Sequence, residues 1–223
     1  MMKAACLVSG GMDSSTLAYY AKNEGYEICA LHANYGQRTE HKERACAQKI
    51  AALLGARDFT EIDLRYFGQF RASSLTDTKM PVDRFDPERK GVPNTYVPFR
   101  NANLLAIATS YAEAKGADAI FIGVQALDYS GYPDCRPDFI DAFRRVIALG
   151  TKETSHIELL TPFIRMTKTD ILRIGTDLGV PYEHTWSCYQ NEDRACGTCG
   201  SCHFRREAFA AIGRTDPIPY EGA

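Results

Sequence analysis

The stretch Ser9-Gly10-Gly11-Met12-Asp13-Ser14-Ser15 decides how the rest of the chain is read. It follows an apolar run at residues 4–8, the length of a short buried strand. It precedes Thr16-Leu17-Ala18-Tyr19-Tyr20-Ala21, which has the composition of a helix body. Two glycines at a strand-to-helix turn let the backbone approach an anion closely. The helix N-terminus presents unpaired N–H groups and a partial positive charge. Ser9, Ser14 and Ser15 add hydroxyl donors. Local chemistry leaves two readings, a phosphate cradle or an ordinary capped loop. The stretch lacks the closing Lys-Ser/Thr of a Walker loop, and its glycine spacing is not that of the Rossmann fingerprint.

Outward from this loop, apolar strands at residues 27–33, 58–62, 119–123 and 157–160 alternate with helical stretches. The helices are expected at residues 37–54, 101–115 and 138–149, the last capped by Asp138. A further helix is opened by the capping box Thr167-Lys168-Thr169-Asp170 and ends near Leu178. Gly25, Gly55 and Gly116 mark helix ends. Short strands alternating with helices predict an α/β fold: an open parallel five-stranded sheet with helices on both faces. Residues 65–98 break the rhythm and read as a surface loop, a flap over substrate or a subunit contact. Residues 1–181 are expected to form the α/β domain. Residues 182–223 form a small C-terminal lobe packed on it, with a last helix near residues 203–212.

The 223 residues carry a formal charge of -2, so no global field draws the chain to nucleic acid. No apolar run is long enough for a membrane span, and the start is too short for a signal peptide. A cytoplasmic protein is expected. Cys6, Cys29, Cys46 and Cys135 are scattered, whereas Cys188, Cys196, Cys199 and Cys202 crowd together around Gly197 and Gly200. Four thiolates satisfy tetrahedral Zn2+ with no position left for water. The same spacing serves an iron–sulfur cluster, a redox pair or a nucleic-acid knuckle.

The opening loop resembles the pyrophosphate-binding SGGxDS loop of the N-type ATP pyrophosphatases. Four further stretches narrow that resemblance: Asn34-Tyr35-Gly36-Gln37-Arg38, Val97-Pro98-Phe99-Arg100-Asn101, Asp128-Tyr129-Ser130-Gly131-Tyr132-Pro133-Asp134-Cys135-Arg136-Pro137-Asp138-Phe139, and Trp186-Ser187-Cys188 with the three later cysteines. Together they resemble the 7-cyano-7-deazaguanine synthases of the queuosine pathway over nearly the whole chain. Two departures stand out. Thr39 sits where many of those enzymes carry histidine, with His41 the nearest one here. The 65–98 excursion is also longer than in the commonest relatives.

The resemblance implies an adenine nucleotide alpha hydrolase-like fold. It implies an ATP-dependent carbon–nitrogen ligase that turns 7-carboxy-7-deazaguanine and ammonia into the nitrile through adenylated acid and amide. ATP would lie on Leu7, Val8, Ser9, Gly10, Gly11, Met12, Asp13, Ser14, Ser15 and Gln37. Ser9, Asp13, Ser14, Arg100 and Lys168 would act in catalysis, with Mg2+ near Asp13. Tyr132, Asp134, Arg136 and Asp138 would hold the deazaguanine, and Cys188, Cys196, Cys199 and Cys202 the Zn2+. A homodimer without nucleic acid is implied. The competing readings are a tRNA base thiolase, which needs a reactive cysteine, an amide-forming ligase, and a non-catalytic nucleotide-binding module stabilised by zinc.

Overall fold

In strand β1 (Lys3–Leu7) the side chains alternate, and that alternation generates two cores. Ala4, Cys6 and the following Val8 enter one core; Ala5 and Leu7 enter the other. The computed structural model describes residues 1–126 and 131–222. Strands β2 (Glu27–Asn34), β3 (Asp58–Asp63), β4 (Ala119–Phe121) and β5 (Glu158–Leu160) complete the sheet. All pairings are parallel, in the order β3-β2-β1-β4-β5. Ala5 is in register with Cys29 on one side and Ile120 on the other.

Both faces are covered, so the central strands are apolar on both sides. Helices α1 (Met12–Asn23), α2 (Glu40–Leu54) and α5 (Lys168–Asp177) pack on one face through Leu17, Ala18, Ala47, Ile50 and Ile171. Helices α3 (Arg100–Lys115) and α4 (Pro137–Gly150) cover the other through Leu105, Ala108, Ile140 and Ile147. From β1 the chain turns towards β2, and after β3 it returns to the opposite neighbour, β4. The crevice beyond the carboxyl ends of β1 and β4 is therefore the switch point where open α/β sheets bind ligands.

Three local expectations need correction. Asp138 does not cap α4. Arg136 is the cap and Pro137 opens the helix, where a missing N–H loses no bond. Residues 37–39 form a turn ahead of α2, not its first turn. The last helix, α6 (Gly200–Ala211), starts earlier than expected, directly on Cys199. The capping box of α5 is present in both directions: Thr167 Oγ1 accepts from Asp170 N, and Asp170 Oδ2 from Thr167 N.

Residues 65–98 are irregular apart from a 3-10 turn (Arg65–Phe70), yet they are anchored. Leu64, Phe67, Leu75 and Val97 share a small core. The Arg38 guanidinium donates to the carbonyls of Ser74 (2.6 Å), Asp77 (2.9 Å) and Met80. Phe85 N donates to Thr198 O (2.9 Å), and its ring stacks on His203. The segment thus bridges the β2–α2 turn and the cysteine region.

The C-terminal residues dock on α1 and α5 through Met12, Leu172, Tyr182, Ala208 and Phe209. Arg205 is 1% exposed. It donates to both Asp216 oxygens (2.7 and 3.0 Å), Thr185 Oγ1, Ser187 Oγ and Tyr182 O, so the buried charge is compensated by its own network. Among the described residues no helix is long and apolar enough to cross a membrane.

Candidate active site

The Ser9–Ser15 loop, the expected phosphate cradle, sits at the switch point, and its serines hold one another. Ser9 Oγ and Ser14 Oγ lie 2.9 Å apart, Ser14 Oγ accepts from Ser9 N (3.1 Å), and Ser9 Oγ accepts from Gly11 N (3.3 Å). No side chain caps α1, so the dipole end of a 12-residue helix faces the crevice unblocked. The two glycines play different parts. A Cβ on Gly10, at φ +82°, would lie 2.4 Å from Glu43 O and 2.8 Å from Ala47 N. Gly10 is therefore needed for packing against α2. A Cβ on Gly11 would meet only Ser9 Oγ at 3.3 Å and Trp186 O at 3.5 Å, facing the cavity side.

A cavity of about 270 Å³ opens above this loop. Leu7, Val8, Ser9, Gly11, Met12, Asp13 and Ser14 form its floor, and Arg100 and Lys168 lie in its wall. Lys168, in the first turn of α5, forms an ion pair with Asp13 Oδ2. The fold thereby brings to the loop the lysine that its sequence lacks. Asp13 Oδ1 is buried with no hydrogen-bond partner. A carboxylate oxygen left open beside a phosphate cradle suits Mg2+, which usually takes one or two carboxylates plus substrate phosphates.

Arg100 opens α3 directly after Phe99, which is held at φ 57°. That left-handed turn, strained for a bulky residue, directs Arg100 into the cavity. Its Nη1 donates to Tyr35 Oη (2.9 Å), and the guanidinium lies 4.9 Å from the Tyr35 ring centre. Its Nε is buried without a partner. A cation held by an aromatic ring and a phenol, with no carboxylate in the pair, retains its charge for an anionic ligand.

The expected substrate residues divide. Tyr132 lines the cavity, with its hydroxyl 2.8 Å from Thr95 Oγ1. Asp134 is 3% exposed, and its Oδ2 accepts from Asn101 N (2.9 Å), so it anchors the start of α3. Arg136 and Asp138 are exposed and outside the cavity lining. Asp128, Tyr129 and Ser130 lie outside the described residues. Ser15 is buried under the loop, and Gln37 is 3% exposed and turned inward. Gln37 Oε1 accepts from Tyr35 N (2.9 Å) and its Nε2 donates to Glu43 (3.1 Å).

Glu43 and Tyr189 are lining residues that sequence reasoning missed. Glu43 is half-buried and stands one turn ahead of the buried stripe of α2, Cys46, Ala47, Ile50 and Leu54. A carboxylate at the head of an apolar helical stripe, three positions before Cys46, is the signal that could have found it. Desolvation pushes its carboxyl up to about 7, against hydrogen bonds from Thr39 and Gln37 that pull it down. Cys135 also lines the cavity, but burial, and then the Asp134 charge, push its thiol up to about 11. Such a thiol is a poor nucleophile at neutral pH.

The four clustered cysteines lie beside this cavity, which Trp186, Ser187, Tyr189 and Ser201 help to line. Trp186 N donates to Gly10 O (2.8 Å), tying the cysteine segment to the phosphate loop. The four sulfurs fall within 4.8 Å of one another, with Cys196 and Cys202 at 3.9 Å. One ion with metal–sulfur bonds of about 2.3 Å sets tetrahedral edges of about 3.8 Å. A polynuclear cluster would spread the thiolates further. Cys188 Sγ accepts from the backbone N–H groups of Gln190, Asn191 and Cys196, and Cys196 Sγ from Cys199 N, at 3.3–3.4 Å. These donors offset the thiolate charge a single bound ion leaves over. The donor set therefore fits one tetrahedral metal ion.

The sequence matches the family described as "Queuosine biosynthesis protein QueC" over residues 3–213. The chain belongs to the QueC family. This QueC-family chain is 70% identical to the 7-cyano-7-deazaguanine synthase of Methanosphaerula palustris, covering 99% of this chain and all of that one. It is 54% identical to that of Halobacterium salinarum (98% and 95% covered) and 51% identical to that of Nitratiruptor sp. (99% of each). Among solved structures it resembles a 4-thiouridine synthetase–RNA complex with bound ATP, at TM-score 0.56 and 19% identity. That match covers 98% of this chain and 47% of the other. It also resembles a predicted tRNA methyltransferase subunit from Methanocaldococcus jannaschii, at TM-score 0.53 and 17% identity over 100% of this chain and 94% of that one. These two likenesses concern the fold, which is the adenine nucleotide alpha hydrolase-like sheet expected for the family.

Proposed function

We propose that this chain is an ATP-dependent ligase that converts 7-carboxy-7-deazaguanine and ammonia to 7-cyano-7-deazaguanine in queuosine-precursor formation. The observation that carries the reading is the single cavity shared by the uncapped start of α1, Lys168 and the Arg100 guanidinium. It offers a seat for a leaving pyrophosphate next to a cation for the carboxylate under activation. A carboxylate is a poor electrophile, and adenylation gives it a leaving group. Negative charge then grows on the departing pyrophosphate, where the N–H groups of residues 10–14, the serine hydroxyls and Lys168 can meet it. Mg2+ held by Asp13 would supply further positive charge. Arg100 pairs with the acid, and Tyr132 walls the base. Ammonia displaces AMP to give the amide. A second adenylation on the amide oxygen, followed by loss of AMP and protons, gives the nitrile.

The four-cysteine centre is read as structural Zn2+, because it is closed and its thiolates are already bonded by backbone N–H groups. A cytoplasmic setting accords with eight cysteines none of which is in a disulfide. A homodimer would have the exposed apolar side chains Phe99 (60% exposed), Val146 (57%) and Leu149 (84%) available to bury. The test is pyrophosphate release and product mass with Mg-ATP, the acid and ammonium. Release must need the acid, and nitrile must need ammonium as well. No acid-dependent release would refute the reading.

A further inference from the structure

Ammonia reaches an enzyme at neutral pH chiefly as ammonium, whose nitrogen has no lone pair to attack with. A ligase supplied with free ammonium therefore needs a group that attracts the cation and removes one proton. That group must lie in the cavity, beside the carbonyl under activation.

Among the described residues, two carboxylates line the cavity, Asp13 and Glu43. Asp13 is engaged by Lys168. The cavity's other ionisable groups are the cations Arg100 and Lys168, and the Cys135 thiol and the phenols of Tyr35, Tyr132 and Tyr189, whose titration burial pushes up. Glu43 differs in construction. Its Oε1 accepts from Thr39 Oγ1 (2.6 Å) and its Oε2 from Gln37 Nε2 (3.1 Å). Each oxygen keeps a second lone pair, and the carboxyl is fixed in place by two residues of the turn before α2.

We propose that Glu43 receives ammonium and takes its proton, so that nitrogen reaches the adenylated carbonyl as neutral ammonia. The inference rests on the function proposed above and adds a residue to it. One N–H bond of ammonium breaks and its proton goes to the Glu43 carboxylate. The freed lone pair forms the C–N bond. The bond from carbonyl carbon to adenylate oxygen breaks, and its electron pair leaves with AMP. The nitrogen's surplus proton and the one on Glu43 pass to water, which restores the carboxylate. The same carboxylate is placed to take a nitrogen proton when the adenylated amide collapses to the nitrile.

The electrostatics suit that task. Desolvation pushes Glu43 up to about 7, while Thr39, Gln37 and the Arg100 charge pull it down and Glu192 adds a small rise. Tyr35 at the end of β2 and Cys46 one turn along α2 complete the titratable surroundings, and both stay neutral at that pH because burial pushes them up. A base with its pKa near the working pH combines availability with proton affinity.

The experiment compares the unaltered protein with Glu43→Gln, using three readouts. Acid-dependent exchange of labelled pyrophosphate into ATP reports adenylation, which needs no ammonia. Amide plus nitrile formation with ammonium reports the nitrogen step. Hydroxamate formation with hydroxylamine, uncharged at neutral pH, reports capture of an amine that needs no deprotonation. For Glu43→Gln, exchange should persist, product from ammonium should fall about 100-fold or more, and hydroxamate should fall less than about fivefold. In the unaltered protein the ammonium reaction should rise through a limb near pH 7. Thr39→Val removes a hydrogen bond that favours the charged form, so it should move that limb upward while retaining the base.

Loss of exchange in Glu43→Gln, an equal loss with hydroxylamine, or an unchanged rate with ammonium would each overturn the role of Glu43. An unmoved limb in Thr39→Val would do the same. Absence of exchange in the unaltered protein would instead overturn the function proposed above, and this role with it.

Discussion

The phosphate cradle and the cysteine centre are neighbours built on opposite plans. The cradle is made of backbone and small hydroxyls, faces a cavity, and keeps its helix end uncapped. The cysteine centre is made of side chains, is closed, and has most of its sulfurs buried. Under the function proposed, one is a place where charge arrives and leaves. The other is built to hold its charge in place.

The harshest test of the contrast is to open the closed centre. Cys199→Ser should lower metal content and cost roughly 3–5 kcal/mol or more of stability, since the sulfurs cluster only when an ion neutralises them. Elemental analysis with a thermal melt reads both, and an unchanged melt would deny the structural role. Next is Gly10→Ala. Its Cβ clash with the α2 backbone and its positive φ should cost about 3 kcal/mol. Gly11→Ala should cost under about 1 kcal/mol and impair chiefly pyrophosphate exchange. Equal melting losses would show that both glycines serve packing.

Lys168→Met should cut exchange about 100-fold and leave the melt nearly unchanged, because its partner Asp13 faces the cavity. Asp134→Ala should cost about 1–2 kcal/mol by leaving Asn101 N without its acceptor at the head of α3. The effect that appears only with a change of pH concerns Glu43. Its carboxyl is raised from 4.5 to about 7, so the stability it contributes is present below about pH 4.5 and lost as pH rises through about 7. Glu43→Gln should therefore be the more stable protein at pH 8, by about 3 kcal/mol if the whole shift is expressed, with the gap closing under acid conditions. Urea melts at the two pH values decide it.

What the sequence made legible follows the same division. The cysteines and the phosphate loop are contiguous, and contiguous groups need only local turns to meet. The sheet was readable because β1 must alternate between two apolar cores. Of the cavity wall, Arg100 and Lys168 were expected and do line it, but the way each reaches it was not legible. Arg100 is directed by one strained residue, Phe99, and Lys168 meets Asp13 across 155 positions of chain. Gln37, polar and placed after a strand like any ligand-binding residue, turned inward to hold Tyr35 and Glu43. Asp134 was spent on a helix end, and Arg136 and Asp138 stayed outside because Pro137 starts α4 beneath them. Polar residues on loops have two destinations, ligand or neighbouring backbone, and spacing alone does not choose between them.

The hydrogen bond from Trp186 N to Gly10 O joins the two centres by 2.8 Å of shared geometry. Two binding events that bias one element are linked reciprocally in free energy. If metal in the cysteine centre fixes the position of Gly10, and with it the cradle, it tightens ATP by some factor. Bound ATP then tightens the metal by that same factor. The nucleotide would thus act as a guardian of the metal, slowing its loss to a chelator whenever the enzyme is supplied with fuel.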